Sequence, residues 1–475
     1  MADPFVVVGG DAAGLSAASK CRRVDPDREV VVFEKGEWIS YAHCGTPYFV
    51  EGEVERLDDL LSLSPADVEE RGIDLRRGHE VVAVDTEAHT VTVASDGTTF
   101  EQPYGDLLVA TGARAVSGHI EGASLEGVFT LHGLDDAAAI RSFLTPPDEF
   151  DPAGLGGDAL DASRAERHGA MTPPETIAIV GAGYVGVEMA EAFDAWDCEV
   201  HVFQRADLPV PVFGDAVGER VADRLREAGV TVHLGEEVVR LRGDDGRVSG
   251  LVCESGATLS IDAALVGTGI RPNTELLAET PVDLGASGAV ATDAYGRTSV
   301  GDVYAAGDVA EMPHGVTGEP TWDPLGLPAN RAGRAIGSTV AGDPTPVGQV
   351  VGTAMLKAFD LECGRSGLLD HDRARDAGFD PVSETVTAGS RSGYYPGAAE
   401  TTVTLTADRE TGRLLGGSIA GTDRAAVRID TVATALGAEM TVAELERQDL
   451  GYAPPFSPVW DPVLVAAKVL NGSLP

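Results

Sequence analysis

Two stretches of this chain are built to one plan, and that plan restricts the fold more than any other feature of the sequence. Residues 4–36, PFVVVGGDAAGLSAASKCRRVDPDREVVVFEKG, read as an apolar strand, a glycine turn, a helix and a second strand ending at Glu34. Residues 176–205, TIAIVGAGYVGVEMAEAFDAWDCEVHVFQR, repeat the same order of elements. A β-branched run that breaks at glycine into a helix and returns as a second such run pairs in parallel through a crossover. Each stretch therefore begins a doubly wound α/β sheet.

The two glycine turns differ in detail. The second is complete, Gly181-Ala182-Gly183-Tyr184-Val185-Gly186, whereas the first reads Gly9-Gly10-Asp11-Ala12-Ala13-Gly14, with Asp11 in place of the middle glycine. Both precede a helix whose free N–H groups and dipole suit a pyrophosphate. Glu34 lies 20 residues beyond Gly14, where a carboxylate would bind a ribose 2′-hydroxyl. The second unit ends in Gln204-Arg205, 18 residues past Gly186. Without a carboxylate to repel a 2′-phosphate, and with a guanidinium beside it, that site is expected to prefer NADPH while admitting NADH. Two dinucleotide folds in one chain imply two nucleotides facing each other, commonly FAD and NAD(P)H.

Length and texture divide the rest. At roughly 150 residues per domain, 475 residues suggest three domains. Segments 80–93 and 98–110 alternate as strands around Asp96-Gly97. Residues 145–175 carry Gly, Pro and acid without periodicity, and are expected to form an acidic, flexible insertion. Beyond 345, strand-like stretches at 400–406 and 414–419 precede helix-like ones at 425–437 and 441–447, the last with a Thr441/Glu444 capping box.

Charge and cysteines narrow the function. The formal net charge is −41, and only four basic residues are lysines (Lys20, Lys35, Lys357 and Lys468). Nucleic acid and anionic membranes are excluded as partners, because both need positive patches. A lysine-poor, carboxylate-crowded surface suits a high-salt cytosol, where a screening length of about 3 Å mutes self-repulsion. The first residues enter a strand without a basic n-region, so no signal peptide is expected, and no run of about 18 apolar residues occurs. The five cysteines, Cys21, Cys44, Cys198, Cys253 and Cys363, are scattered; neither a disulfide framework nor a metal site is expected.

Two further motifs, Leu108-Val-Ala-Thr111-Gly112-Ala113 and Val303-Tyr-Ala-Ala-Gly-Asp308-Val, resemble the ATG and late GD motifs of the two-dinucleotide-binding flavoprotein family. The resemblance assigns Asp308 a hydrogen bond from the flavin ribitol. It implies two Rossmann-like dinucleotide-binding domains plus a C-terminal α+β dimerisation domain: FAD-binding at 1–144 and 285–344, NAD(P)H-binding at 176–284, dimerisation at 345–475. Gly9, Ala12, Ala13, Gly14, Glu34, Lys35, Val81, Thr111, Gly112 and Asp308 become candidates for FAD. Gly181, Gly183, Gly186, Gln204, Arg205 and Gly269 become candidates for NADPH.

The segment Ser40-Tyr-Ala-His43-Cys44-Gly-Thr46-Pro47-Tyr48 holds the expected redox centre. Thr46 and Pro47 suit the cap and first position of a short helix, placing Cys44 near its positive end with a lowered pKa. No second cysteine follows at a dithiol spacing, so Cys44 is expected to act alone, as a mixed disulfide, persulfide or sulfenate. This segment, with Gly393-YYPGAAETTVTL, Arg428-Ile-Asp and Leu450-GYAPPFSPVWDP, resembles the coenzyme A disulfide reductase branch of the single-cysteine, FAD/NAD(P)-dependent pyridine nucleotide-disulfide oxidoreductases. The branch implies a homodimer in which two tyrosines, here Tyr394 and Tyr452, reach the partner's active site. It also implies substrate contacts at Ser16, Lys20, Arg23, Ser40, His43 and Arg71.

Two departures count. Trp460 stands where the branch can carry a substrate-contacting lysine, and Ala12 where peroxidase and water-forming oxidase relatives carry histidine. The expected reaction passes hydride from NADPH through FAD to Cys44 and a small disulfide, most of all coenzyme A disulfide. Its rivals are NAD(P)H oxidase or polysulfide and persulfide reduction on the same scaffold, and a non-turnover redox sensor. A rhodanese-like segment beyond residue 475 is not expected, and the persulfide version is accordingly the less expected.

Overall fold

The computed structural model describes residues 3–475 except His119. Both expected glycine units open parallel sheets. In the first, the strands run in the order Val303–Ala305, Asp106–Val109, Phe5–Val8, Val30–Phe33, Asp74–Arg76, all parallel. In the second, the order is Thr231–Leu234, Glu199–Gln204, Thr176–Val180, Ala263–Val266, Val128–Phe129, again all parallel. Both central strands are buried on both faces, which is why they read as unbroken apolar runs rather than alternating ones. Three antiparallel strands, Glu80–Asp85, Thr90–Ser95 and Thr98–Pro103, lie over the first sheet, with Asp96 and Gly97 at φ 48° and 73° in their turn.

The helix Ala12–Val24 packs against Gly326–Val340 at unusually short range. A Cβ on Gly333 would stand 2.1 Å from the carbonyl oxygen of Ala13, and one on Gly337 2.2 Å from that of Ala17. Small residues on both helices thus let the backbones touch, which carries the 326–340 helix to the edge of the glycine turn.

The third unit is an antiparallel sheet ordered Ala354–Ala358, Leu361–Gly367, Leu414–Gly421, Glu400–Asp408, Pro381–Gly389. The helices Ile429–Gly437, Val442–Glu446 and Pro462–Gly472 share a core with it. Thr441 caps the middle helix as expected, accepting from the Glu444 N–H while the Glu444 carboxylate accepts from Thr441.

Three expectations need correction. The first domain does not run to residue 144: strand Val128–Phe129 pairs with Ala263–Val266, and helix Leu134–Leu144 packs in one core with Ile177, Ile179 and Phe193. Nor does the chain wait until 285 to return, since Leu277 and Val282 already pack with Val6 and Val8. Residues 145–175 are not a structureless insertion. They form a short turn, Pro152–Leu155, and a helix, Ala162–Gly169, each N-capped by an aspartate (Asp151, Asp161), with Leu155, Ala165 and His168 buried. Those inward-facing side chains are too few and too irregularly spaced to show as a period among the acids.

Candidate functional site

A cavity of about 1280 Å³ opens along the first glycine turn, above the roughly 300–1,000 Å³ that holds drug-sized ligands. The turn is closed by its glycines: a Cβ on Gly14 would sit 1.9 Å from the Gly9 oxygen, and Gly9 adopts φ 112° against Ala110. The helix it opens has no side-chain cap, so its first N–H groups stay free. Glu34 accepts from the N–H groups of Gly10 (2.8 Å) and Gly36 (2.7 Å), which holds its carboxylate at the ribose end of the turn. Elsewhere in the lining, where Gly307 packs on Ala13, burial pushes the Asp308 carboxyl above its usual range. Among the described residues no side chain or backbone group hydrogen-bonds that carboxylate, as suits a group meant for a ligand hydroxyl. A glycine cradle, free N–H groups, a held carboxylate and an unpartnered one together fit FAD.

Of the expected FAD residues, Gly9, Ala12, Ala13, Glu34, Lys35, Val81, Thr111, Gly112 and Asp308 line this cavity, while Gly14 lies behind the turn. Thr111 is also a joint: its hydroxyl donates to the Asn273 carbonyl (2.7 Å) and its own carbonyl accepts from Asn273 Nδ2 (2.9 Å). Ser16, Arg23, Ser40, His43 and Arg71 line the cavity too; Lys20, on the same helix, does not. Arg71 donates to Ser19 (2.9 Å) and Ser16 to Asn330 (2.7 Å), so both are held in place. Ser40 sits at φ 47°, a left-handed strain at the start of the cysteine turn.

At the second turn, Gly186 closes on Gly181 as Gly14 does on Gly9, with a hypothetical Cβ again 1.9 Å from the carbonyl oxygen. The Ala182 N–H donates to Gln204 Oε1 (3.2 Å), the neutral counterpart of the Gly10–Glu34 bond. Gly183 is the helix N-cap and is open to space, Gly269 has φ 127°, and Arg205 is exposed beside Gln204. These residues stand apart from the large cavity, as a second nucleotide site requires.

Cys44 is the one exposed cysteine among the five, and it lines the cavity. Its local structure differs from expectation by a residue: Cys44 lies in a 3₁₀ turn, His43–Gly45, and Gly45 caps the following helix, Thr46–Glu51. Thr46 is already helical and donates to the His43 carbonyl (2.8 Å), while Gly45 makes room for Leu60. The expected lowering of the thiol pKa is also corrected. Burial, and then the carboxylates of Glu188 and Asp308, push it up.

Glu188 escaped the sequence reading. It sits on the second unit's helix, Tyr184–Asp194, which packs against Thr46–Glu51, and the Tyr48 hydroxyl donates to its Oε1 (3.3 Å). Burial pushes it up to about 7. The available signal was an acid two residues past Gly186, with a second acid, Glu191, one turn further along the same helix. Asp11 and His132 were missed as well: His43 is paired with Asp11 and its other ring nitrogen lies 3.0 Å from the His132 carbonyl.

Tyr394 and Tyr452 are not in this cavity. They lie together on the surface of the third unit, 76% and 48% exposed. Their contact with each other raises the phenol of Tyr394 and lowers that of Tyr452, while Ser392 pulls both down. Beneath them Arg428 is buried against Asp461 (2.8 Å). Trp460 is exposed, under the Lys468 ammonium. Among the described residues there is no cluster of potential metal ligands, and no helix is long and apolar enough to cross a membrane.

The sequence matches the pyridine nucleotide-disulphide oxidoreductase family over residues 3–324 and that family's dimerisation domain over 353–462. It is 38% identical to the NAD(P)H sulfur oxidoreductase (CoA-dependent) of Pyrococcus abyssi over 468 residues, covering 98% of each chain. It is 29% identical to the coenzyme A disulfide reductase of Staphylococcus haemolyticus, over 95% of this chain and 96% of that one. Among solved structures, an NAD-dependent persulfide reductase from A. fulgidus superposes with a TM-score of 0.90 at 33% identity, covering 99% of this chain and 83% of the other. With the two glycine cradles, the buried Asp308 and the dimerisation domain in place, the chain belongs to the pyridine nucleotide-disulphide oxidoreductase family, whose members are oxidoreductases that use FAD and NAD(P)H.

Proposed function

We propose that this enzyme reduces small disulfides, coenzyme A disulfide foremost, with NADPH, through Cys44 alone. One observation carries the reading: the single exposed cysteine faces a cavity that also presents Arg23, Arg71, Ser16 and Ser40. In a chain of net charge −41, two arginines converging on one cavity mark a place for phosphates. Bound FAD supplies the electron pair of NADPH to sulfur.

Cys44 rests as a mixed disulfide with the thiol. An electron pair and a proton enter, its S–S bond breaks, one free thiol leaves, and Cys44 remains as thiolate. That thiolate attacks one sulfur of the incoming disulfide. A new S–S bond to Cys44 forms, the substrate S–S bond breaks, and the second thiol departs once protonated. Tyr394 and Tyr452, side by side on the surface of the dimerisation domain, give that proton across a homodimer. Glu188, close to neutral pH in its titration, stores a proton beside Cys44.

Intact mass of the protein purified without reductant, with peptide mapping, tests this. The expected result is a thiol adduct on Cys44, displaced by NADPH with release of free coenzyme A. An unmodified Cys44 and no turnover of coenzyme A disulfide would remove the reading. A second version, coenzyme A-dependent reduction of polysulfide or persulfide, gains support from the Pyrococcus abyssi and A. fulgidus relatives. Release of sulfide from polysulfide faster than turnover of the disulfide would select it.

NADPH is the proposed donor because Gln204 and exposed Arg205 replace the acid that would bind a 2′-hydroxyl. Replacing Arg205 with alanine is expected to raise KM for NADPH about tenfold, as for one lost charge-assisted contact, and to leave KM for NADH unchanged. Steady-state kinetics with both donors check this. The acidic surface supports a high-salt cytosol.

A further inference from the structure

The aspartate in the first glycine turn has no part in the chemistry above. Asp11 occupies the N-cap of Ala12–Val24, yet its carboxylate caps none of that helix's N–H groups. Instead Oδ1 accepts from the Tyr41 N–H (3.2 Å) and Oδ2 is bonded to Nε2 of His43. Nδ1 of the same ring lies 3.0 Å from the His132 carbonyl oxygen. A neutral imidazole has a single N–H. Here both nitrogens face oxygen atoms, and beside an ionised Asp11 the imidazolium, with two N–H groups, satisfies both.

The position of this pair gives it a use. A lone carboxylate at the N-terminus of the helix would oppose the pyrophosphate that the same N–H groups and dipole attract. His43 cancels that charge, and it comes from the turn that carries Cys44.

We infer that Asp11 and His43 form a clasp that neutralises the glycine turn for the cofactor's pyrophosphate and ties the Cys44 turn to it, so that protonated His43 governs how tightly FAD is held. The inference rests on the FAD reading of the cavity and makes His43 a positioning residue.

The groups around His43 agree in sign. Asp11 and Asp308 both act on its charge, Asp11 from the glycine turn and Asp308 from the segment where Gly307 meets Ala13. Burial works against the imidazolium, but the bond and charge of Asp11 outweigh it and hold the ring above its ordinary value. The Tyr41 ring lies 4.2 Å away, centroid to centroid, and the His132 ring 5.6 Å. Burial first and then the His43 charge lower the His132 ring, while Asp136 acts on both His132 and Tyr41, and Glu34 and Asp135 act on Tyr41 as well. A histidine whose pKa is raised contributes its interaction below that pKa and loses it as pH rises through it.

The test is FAD affinity, measured by flavin fluorescence on apoprotein, with no turnover involved. In the wild type the dissociation constant is expected to climb as pH is raised past the ordinary histidine range of about 6.5. At neutral pH, His43→Gln strands the Asp11 charge and is expected to weaken binding roughly tenfold or more. The double variant Asp11→Asn/His43→Gln carries neither charge; it is expected to recover most of that loss and to show a flat pH profile. A merely structural role predicts the opposite, with losses that add in the double variant. Additive losses, or a wild-type affinity that ignores pH, overturn the clasp while leaving the FAD reading intact; a wild type that binds no FAD overturns both. The wild-type titration needs no variant to fold.

Discussion

Replacing Cys44 with serine is expected to lower NADPH-dependent disulfide reduction by about a thousandfold or more, the scale on which removing a nucleophile acts. A hydroxyl cannot enter the S–S exchange, because each half-reaction makes or breaks a bond to the Cys44 sulfur. The other four thiols cannot substitute. All are buried, and burial pushes Cys21, Cys198 and Cys253 up to about 11 and Cys363 to about 12, so thiolate is scarce as well as unreachable. Both nucleotide cradles are left untouched, and the variant is expected to bind FAD and to have its flavin absorbance bleached by NADPH as the wild type does. Stopped-flow absorbance and free-thiol release separate the two halves. Full disulfide turnover in this variant would end the single-cysteine scheme. Loss of bleaching would instead mean that Cys44 supports the cofactor site itself.

What the sequence made legible depends on how local the physics is. The two cradles could be read because each needs glycine at fixed spacing within one turn: Gly9 and Gly181 at positive φ, Gly14 and Gly186 where a Cβ would meet a carbonyl oxygen. Cys44 could be read because its chemistry belongs to one residue. The Asp11–His43 pair could not, since its partners stand 32 residues apart and meet only when the glycine turn and the cysteine turn fold onto each other. Glu188 was hidden for the same reason, lying 144 residues from Cys44 on the helix of the other dinucleotide unit. Burial, and then its carboxylate and that of Asp308, explain why the thiol is raised where a helix terminus alone predicted lowering. A helix of six residues, Thr46–Glu51, offers a weak dipole against two acids and partial burial. The crossing near residue 128 was invisible because a two-residue edge strand, Val128–Phe129, has no period to detect.

Removing the Arg428 guanidinium is expected to have the second large effect, and to reach activity from a distance. Arg428 is buried, and its Nε donates to Asp461 Oδ2 at 2.8 Å. Its other nitrogens donate to the carbonyls of Arg424 (2.7 Å), Ser390 (2.6 Å) and Phe456 (3.2 Å). Ser390 leads into the loop that carries Tyr394, and Phe456 follows the one that carries Tyr452. One side chain therefore fixes both tyrosine loops, and Asp461 in turn caps the final helix through the Val463 N–H (3.0 Å). Arg428→Met strands a buried carboxylate and the carbonyls it held, that of Asp423 included, at a cost of about 3–5 kcal/mol, or a melting temperature lower by roughly 10 °C for a unit of this size. Adding Asp461→Leu removes the stranded charge, and exchanging a buried pair for apolar volume is often near neutral; since the cap on the final helix goes with it, at about 1 kcal/mol, the double variant is expected to regain part of the stability. It does not regain the loop anchors. Disulfide turnover is therefore expected to stay at least about tenfold down in both variants, the lower range of a lost general acid, while bleaching of the flavin by NADPH is unchanged. Salt does not relieve the defect, since a buried pair is screened far less than a surface one. Calorimetry beside steady-state assays in low and molar salt gives both readouts, and turnover that recovers together with stability would show that the loops find their places without Arg428.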